Sequence, residues 1–304
     1  MERCKFIAVW EGKALAYSLK KCYNRNLEGI EMKKFAVVTG ANSGIGKSFA
    51  VLFAKRGYPV ILIGRKTNVL EEMTKMISKI SGEECIYLSG DFCIASQVRK
   101  VVEALKEYPI GFFVNNAGFG TYGPFLNQNK EMVEDMILVN VAALTRLSYA
   151  AIEQMTKQGY GHLINVASIA SFMPNPYGSA YAATKAYVRS FSEALYQEVK
   201  KSPITVTTLC PGPTRTNFGK RSGMGKSRSF VRMMSADKVA WQGYRAALAG
   251  KRCVVPGLLN KIVVTAVQIL PKEMVLKAVM WALQERRKKV YTLFRPVRNR
   301  LFRN

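Results

Sequence analysis

Short apolar stretches alternate with longer amphipathic stretches between Lys34 and residue 255, and no other feature of this sequence constrains the fold as tightly. The short stretches are runs of β-branched and other apolar residues, typical of strands buried on both faces of a parallel sheet. The longer stretches repeat apolar residues at helical spacing. This alternation predicts an α/β fold with a doubly wound parallel sheet and helices on both faces, and we expect seven strands in the order 3-2-1-4-5-6-7.

The predicted elements form one continuous series. Strands are predicted at about 34–39, 59–64, 84–89, 110–115, 161–167, 204–210 and 251–255. Helices are predicted at about 45–56, 68–80, 95–107, 130–157, 178–201 and 236–249. Because we find no internal repeat and no low-complexity linker, we assign residues 33–257 to one domain. A basic extension precedes it at 1–32, and an amphipathic helical extension with a basic tail follows at 258–304.

A glycine-rich turn lies between the first predicted strand and the first predicted helix, and it reads Gly40-Ala-Asn-Ser-Gly44-Ile-Gly46. Gly40 permits the tight turn, Gly44 lets the backbone approach a pyrophosphate, and Gly46 allows the helix to pack closely on the sheet. The N-terminus of the helix then faces the phosphates. Although the spacing is GxxxGxG rather than GxGxxG, the strand before it and the helix after it favour a Rossmann-type dinucleotide site over a simple tight turn.

The end of the second predicted strand indicates which dinucleotide binds. An Asp or Glu at this place holds the ribose 2′-hydroxyl of NAD, whereas an arginine accommodates the 2′-phosphate of NADP. The chain has Gly64 and Arg65 there, so it lacks the repelling carboxylate and offers a planar set of donors. We therefore predict NADP(H) as the cofactor; a solvent-exposed arginine after a strand is the alternative interpretation.

Tyr181 and Lys185 are four residues apart in a predicted helix, so their side chains share one face. A phenol with a pKa near 10 is a poor acid or base at neutral pH, and we expect the neighbouring ammonium group to lower that pKa. Such a pair suits proton transfer to or from a carbonyl or alcohol oxygen. Alone, the spacing is typical of a surface pair, and its significance comes from other polar residues placed in order along the chain.

These residues are Asp91, Asn116 in an Asn-Asn-Ala-Gly turn, Asn140 and Ser168. Each falls at the carboxyl end of a predicted strand or on a crossover helix, where open α/β sheets bind ligands. The motifs TGANSGIG, NNAG, YAATK and PGPTRT, with Asn140 and Ser168 between them, resemble the short-chain dehydrogenase/reductase family in content and order. The resemblance covers residues 33 to about 255.

The resemblance implies catalytic roles for four residues. Tyr181 would be the general acid and base, Lys185 would tune it and hold the nicotinamide ribose, Ser168 would bind the substrate oxygen, and Asn140 would support a water-linked proton relay. It also implies a set of cofactor-binding residues, in which Asp91 and the NNAG turn contact the adenine side and the residues from Pro211 onward lie by the nicotinamide carboxamide. The set is Gly40, Asn42, Ser43, Gly44, Ile45, Gly46, Arg65, Asp91, Asn116, Ala117, Gly118, Tyr181, Lys185, Pro211, Gly212, Thr214 and Thr216.

From these observations we predict an NADP(H)-dependent oxidoreductase, a carbonyl reductase that interconverts a ketone and a secondary alcohol by hydride transfer. Within the family, residues 118–123, the PYGSAYAATKAY segment and the KRCVVPG segment resemble a poorly characterised bacterial-type group of carbonyl reductases. We expect a lipophilic, fatty-acyl-like or other lipid substrate, and a dimer or tetramer. The alternative is a non-enzymatic NADPH-binding protein at a membrane surface.

The charge of the chain favours an anionic partner. Its 46 Lys and Arg residues outnumber 20 Asp and Glu residues, a net charge of +26. Residues 213–232 contain six Lys or Arg and no acid, and by family position they form a mobile flap over the substrate. A cationic flap suits an anionic or thioester-linked substrate; a solvated loop is the alternative. Nucleic acid is the least favoured partner, because aromatic residues are not interleaved with the basic run.

Two apolar stretches at helical spacing follow residue 256, separated by Pro271, and precede a strongly basic end. They suit either the interface of an anionic membrane or a wall of the substrate pocket or a subunit contact. The first is too short to span a bilayer, and the run from Phe6 to Trp10 lacks a cleavage site. We therefore expect a cytoplasmic protein, peripheral to a membrane at most. One histidine and six scattered cysteines predict reduced thiols and no metal site.

Overall fold

The computed structural model describes residues 34–224, 227 and 233–283. The predicted N-terminal extension at 1–32 and the basic tail from residue 284 lie outside the described residues, as does most of the flap after residue 224.

A seven-stranded parallel sheet forms the centre of the described chain. Its order is β3-β2-β1-β4-β5-β6-β9, so the predicted topology is confirmed, with β9 as the seventh strand of the sheet. A separate pair of short parallel strands is formed by β7 at the start of the flap and β8 directly after it. The strands are β1 Phe35–Thr39, β2 Val60–Gly64, β3 Ile86–Ser89, β4 Ile110–Asn115, β5 Gly161–Val166, β6 Ile204–Leu209, β7 Thr214–Arg215, β8 Met234–Ser235 and β9 Cys253–Val254.

Helices cover both faces of the sheet, and two further helices follow the last strand. They are α1 Gly44–Ala54, α2 Thr67–Ser81, α3 Ala95–Leu105, α4 Lys130–Ile137, α5 Leu144–Gln158, α6 Ser179–Glu198, α7 Phe218–Ser222, α8 Ala236–Leu248, α9 Leu258–Ile269 and α10 Lys272–Leu283. Three short helical turns complete the set, two of them 3-10 turns at Phe125–Asn127 and Ile169–Phe172 and one a π-helical turn at Leu138–Ala143 between α4 and α5.

The core has two layers because each central strand is buried on both faces. Alternate residues of β1 illustrate this: Ala36 and Val38 pack with Phe49, Phe53 and other residues of one layer. Phe35 and Val37 pack in the opposite layer, which also contains Phe113 and Leu147. The apolar strands predicted from the sequence therefore owe their continuous hydrophobicity to helices on both sides.

The structure refines the predicted elements at three places. The predicted helix at 130–157 is divided by the π-helical turn at Leu138–Ala143, which contains Asn140. The last strand is Cys253–Val254 rather than 251–255, because only those residues pair with β6. The helix α7 and the β7–β8 pair were not expected, because their residues show neither helical nor strand periodicity.

The continuous helical stretch Lys130–Gln158 is the one helix among the described residues that is long and apolar enough to cross a membrane by length and composition. It lies against the sheet, and Leu144, Leu147, Ala151 and Met155 are buried in the protein core. Core packing therefore accounts for the buried apolar residues of this helix.

His162, the one histidine of the sequence, is a structural residue of β5. Its ring stacks on Phe112 with centroids 4.6 Å apart. One ring nitrogen lies 2.7 Å from Thr205 Oγ1, and the other lies 3.0 Å from Tyr160 Oη. Burial lowers the pKa of His162 from 6.5 to about 4, because a charged imidazolium loses its hydration in the core.

This pKa predicts an acid-sensitive stability. The unfolded chain takes up a proton at His162 below about pH 6.5, whereas the folded chain does so only near pH 4, so folding free energy is lost as the pH falls through that window. Between pH 7 and pH 5 we expect a loss of about 2 kcal/mol from this residue. Urea unfolding of the wild-type protein and of His162→Gln measures it. An equal loss in the variant, which lacks the titrating ring, contradicts the prediction.

Candidate active site

The glycine-rich turn forms an open cradle at the carboxyl end of β1. Gly40 and Gly44 have φ values of 62° and 56°, a conformation that side chains with a Cβ rarely adopt. The N-terminus of α1 begins at Gly44, and the Ser43 side chain makes no capping hydrogen bond to it. The first N–H groups of the helix thus remain available, and they suit the phosphates of a dinucleotide.

The loop that follows β4 is hydrogen-bonded to this turn. Thr39 Oγ1 accepts hydrogen bonds from the backbone N–H groups of Asn116 and Ala117, both at 2.9 Å. Asn116 Nδ2 donates to the Thr39 carbonyl at 2.9 Å and to the Gly40 carbonyl at 3.3 Å. A Cβ at Gly46 would lie 2.3 Å from the Gly40 oxygen and 2.6 Å from Asn116 Nδ2, so only glycine fits there. The cofactor cradle is therefore one rigid unit built from two distant segments.

Arg65 and Asp91 lie together at the ends of β2 and β3. The Arg65 guanidinium Nη1 is 3.7 Å from a carboxylate oxygen of Asp91, and the arginine side chain is 64% exposed. Most of its donors therefore remain free to bind an anion. Asp91 is held in place because its carboxylate accepts from the Cys93 backbone N–H at 3.0 Å.

Tyr181 and Lys185 lie on one face of α6, as predicted, and both are buried. The Lys185 ammonium donates to the Val166 carbonyl at the end of β5 at 2.9 Å and lies 6.0 Å from the centre of the Tyr181 ring. The Tyr181 ring also packs against Phe218 of α7, with ring centres 5.5 Å apart. The phenol is thus fixed between α6, the end of β5 and the flap helix.

The protonation of this pair differs from the expectation that Lys185 lowers the pKa of Tyr181. Burial raises the pKa of Tyr181 to about 12, and a hydrogen bond with Ser168 opposes that rise. Burial likewise lowers the pKa of Lys185 to about 8. Desolvation dominates because both side chains are enclosed by protein. At neutral pH Tyr181 therefore carries its proton and can donate it.

Ser168 stands directly after β5 and caps the 3-10 turn Ile169–Phe172. Its Oγ accepts from the Ala170 backbone N–H at 3.1 Å, which orients the hydroxyl group. Ser168 and Tyr181 line the same cavity, and the Ser168 side chain opposes the rise in the pKa of Tyr181. Such a pair can bind a single carbonyl or hydroxyl oxygen of a substrate.

Asn140 is fully buried in the π-helical turn. Its Nδ2 donates to the Phe119 carbonyl at 2.9 Å and to Thr184 Oγ1 at 3.0 Å, and its Oδ1 accepts from the Phe119 N–H at 3.1 Å. The side chain therefore fastens the loop after β4 to α6, beside Lys185. Its role in a proton relay stays a prediction.

One cavity of about 590 Å³ connects these groups. Of the predicted site residues, Gly46 and Asn140 support the wall from behind, and the others line the cavity. Those that line it are Gly40, Asn42, Ser43, Gly44, Ile45, Arg65, Asp91, Asn116, Ala117, Gly118, Ser168, Tyr181, Lys185, Pro211, Gly212, Thr214 and Thr216.

Among the cavity residues that were not predicted as site residues, three make contacts with predicted ones. Arg221 of α7 donates to Ser43 Oγ at 3.4 Å and so brings a flap cation to the phosphate cradle. Phe218 packs on Tyr181. The Asn260 side chain of α9 occupies the space beside Gly212. A Cβ at residue 212 would lie 2.4 Å from that side chain. The excess of cations in the flap was the signal for Arg221, but its contact joins residues 178 positions apart.

A family model described as short chain dehydrogenase matches residues 34–226, which is more than half of the chain. The chain belongs to this family. The curated relatives include Hydroxysteroid dehydrogenase-like protein 1 of Gallus gallus, 36% identical over 200 residues, which are 65% of this chain and 60% of that protein. Very-long-chain 3-oxoacyl-CoA reductase-B of Danio rerio is 33% identical over 191 residues, 62% of this chain and 61% of that protein. The chain thus matches about three fifths of the length of each.

A solved structure of similar fold is a short-chain dehydrogenase from Sphingobium yanoikuyae in complex with NADPH. Its TM-score is 0.70 at 29% identity, and the alignment covers 79% of this chain and 97% of that one. The protein therefore has the Rossmann-type fold of this dehydrogenase family, as predicted. The glycine cradle, the open N-terminus of α1 and the exposed Arg65 guanidinium fit a phosphorylated nicotinamide dinucleotide.

Proposed function

We propose that this short-chain dehydrogenase uses NADPH to reduce a ketone on a lipophilic, fatty-acyl-like or other lipid substrate to a secondary alcohol. One observation carries the proposal. The cavity that holds the Tyr181 and Ser168 hydroxyl groups is continuous from the phosphate cradle at one end to an apolar wall at the other.

The apolar wall comes mainly from the two helices after the last strand. Its side chains from α9 and α10 are Leu259, Val263, Val267, Ala278, Val279, Ala282 and Leu283, with Met173 and Met224 beside them. Val275, Val279 and Leu283 form a small cluster with these two methionines and Val267. Such a wall favours a substrate with an extended apolar part, because its burial there is stabilising.

The chemistry follows from the protonation of the site. When bound, NADPH supplies a hydride to the carbonyl carbon. Tyr181 holds its proton at neutral pH and donates it from Oη to the carbonyl oxygen as that oxygen gains charge. Ser168 donates a hydrogen bond to the same oxygen. Lys185, tied to the Val166 carbonyl, fixes the floor of the site beside the phenol.

The cations of the flap suit a substrate with an anionic part, such as a thioester-linked acyl group. Arg215, Lys220 and Arg221 lie in its described part, and that part has no acidic residue. The curated relative named as a 3-oxoacyl-CoA reductase supports this class of substrate. Electrostatic attraction by such a flap raises the local concentration of an anionic ligand.

Three further predictions belong to this proposal. We propose a cytoplasmic location, and a homodimer or tetramer through the long helices, where Ile137, Leu138 and Tyr149 are exposed on Lys130–Gln158. We also propose that the chain consists of a catalytic domain at 33–257 with an extension at each end.

The test is a panel of ketones and β-ketoacyl thioesters of increasing chain length, each assayed with NADPH and with NADH. We expect oxidation of NADPH by long-chain ketones, with kcat/KM rising with chain length until the apolar wall is filled, and weaker turnover with NADH. Tight NADPH binding without turnover of any member would favour the non-enzymatic alternative. Selective turnover of short polar ketones would refute the lipophilic substrate.

A further inference from the structure

The helices α9 and α10 carry apolar side chains toward the protein and the cavity, and further apolar side chains that are exposed. The inner stripe of α9 is Leu259, Val263 and Val267, at positions i, i+4 and i+8, and it lines the cavity. The next stripe is Leu258, Ile262 and Ile269, with exposed fractions of 75%, 56% and 78%. These residues share a second face because they are spaced at i, i+4 and i+11.

The same arrangement recurs on α10. Val275, Val279 and Leu283 are buried at positions i, i+4 and i+8. Met274 and Trp281, seven residues apart, share the opposite side and are 56% and 62% exposed. We call the exposed residues Leu258, Ile262, Ile269, Leu270, Met274 and Trp281 the outer apolar surface. An exposed apolar surface of this kind beside a ligand cavity marks an interaction site.

The charged residues of α9 and α10 indicate the kind of partner that fits the outer apolar surface. Lys261, Lys272 and Lys277 are exposed on the same two helices, against one acid, Glu273. The sequence that follows α10 adds eight Lys or Arg and one acid between residues 285 and 304. Apolar side chains bordered by cations fit an anionic phospholipid surface, in which the apolar groups enter the acyl boundary and the lysines meet the headgroups.

A second copy of the chain fits this surface less well. In a symmetric dimer the same patch faces itself, so the lysines of one copy would approach those of the other. Like charges at such a contact oppose association, whereas an anionic bilayer neutralises them.

We propose that the outer apolar surface docks the protein on an anionic bilayer, with the inner faces of α9 and α10 placing the substrate cavity directly behind it. A lipid ketone would then pass from the bilayer to the cavity along these helices without crossing water. The docking itself rests on the surface alone, while this route for the substrate rests on the proposed function.

Vesicle flotation of the 304-residue protein tests the docking. We expect the wild type to float with phosphatidylcholine vesicles that contain phosphatidylserine, and to float less with phosphatidylcholine alone or at high salt. The triple variant Ile262→Glu, Ile269→Glu, Met274→Glu should bind at least about tenfold less, because each glutamate replaces an apolar group that enters the lipid. None of these three residues lines the cavity.

A matched triple variant provides the control. Ile80→Glu, Ile94→Glu, Leu248→Glu adds the same charge at exposed apolar positions outside the C-terminal helices and should float like the wild type. Failure of the wild type to float, or equal flotation of the two variants, overturns the proposal. A dimer formed through the outer apolar surface also overturns it. Such a dimer would be seen in sedimentation of the wild type and would be dissociated by the α9–α10 variant but not by the control variant.

The docking and the proposed function fail separately. NADPH oxidation with a ketone in solution should be the same in both triple variants, whereas reduction of a ketone carried in vesicles should fall only in the α9–α10 variant. Flotation that depends on the surface, without turnover of any ketone, retains the docking and removes the function. Turnover of a ketone without flotation retains the proposed function and removes the docking.

Discussion

The Tyr181→Phe variant is expected to lose kcat/KM by about 10²- to 10⁴-fold with any ketone that the wild type reduces. The substitution removes one oxygen and with it the proton that the buried phenol carries at neutral pH. The aromatic ring remains, and so does its packing against Phe218. Binding of NADPH should therefore be unchanged within a fewfold, which separates a chemical defect from a folding defect.

Tyr187→Phe is the matched control, because Tyr187 lies on the same helix with its hydroxyl group at the surface, 2.9 Å from Thr145 Oγ1. Steady-state rates and the fluorescence of bound NADPH report the two quantities. Full turnover by Tyr181→Phe would show that another group protonates the substrate. It would remove the mechanism while leaving the fold and the cofactor cradle as described.

The Arg65→Ala variant is expected to bind NADPH about 10- to 150-fold more weakly while binding of NADH changes little. The expected loss corresponds to about 1.5–3 kcal/mol for hydrogen bonds to a charged group, at 1.4 kcal/mol for each factor of ten. The guanidinium group is largely exposed, and its Asp91 contact is long at 3.7 Å, so it is available to a 2′-phosphate. Titration of each cofactor against the variant measures the effect.

Lys79→Ala controls for the loss of a positive charge, since Lys79 is exposed at the far end of α2. Its affinity for NADPH should equal that of the wild type. If Arg65→Ala keeps the preference of the wild type between NADPH and NADH, the 2′-phosphate is held elsewhere. Arg221, which reaches Ser43 at the same cradle, would then be the residue to replace.

The sheet could be predicted from the sequence because strands that are buried on both faces consist of continuous runs of apolar residues. The runs at Phe35–Thr39 and Val60–Gly64 contain no charged residue, and both pair in the centre of the sheet. The strands beside the flap contain no such run of apolar residues. The short strands Thr214–Arg215 and Met234–Ser235 pair with each other, through contacts that no local periodicity reveals.

Most of the predicted site residues line one cavity, which could be expected because several of them follow the ends of strands. Their roles were implied by the family resemblance and stay predictions. Tyr181 and Lys185 share a helical face by geometry alone. Their pKa values could not be predicted, because these depend on how much protein encloses them: burial raises that of Tyr181 to about 12 and lowers that of Lys185 to about 8. The contact of Arg221 with Ser43 could not be predicted either, because it joins residues 178 positions apart that meet only in the folded chain.

The close fit of Gly46 against Gly40 and Asn116 joins two stretches of sequence that are some seventy residues apart. A bulkier residue at Gly46 would clash, since the Gly40 carbonyl and the Asn116 side chain already fill the space. A chimera that transplants the nucleotide loop from another member of the family must bring the matching NNAG segment with it. Recombination breakpoints between these positions should be tolerated only where both parents share this fit.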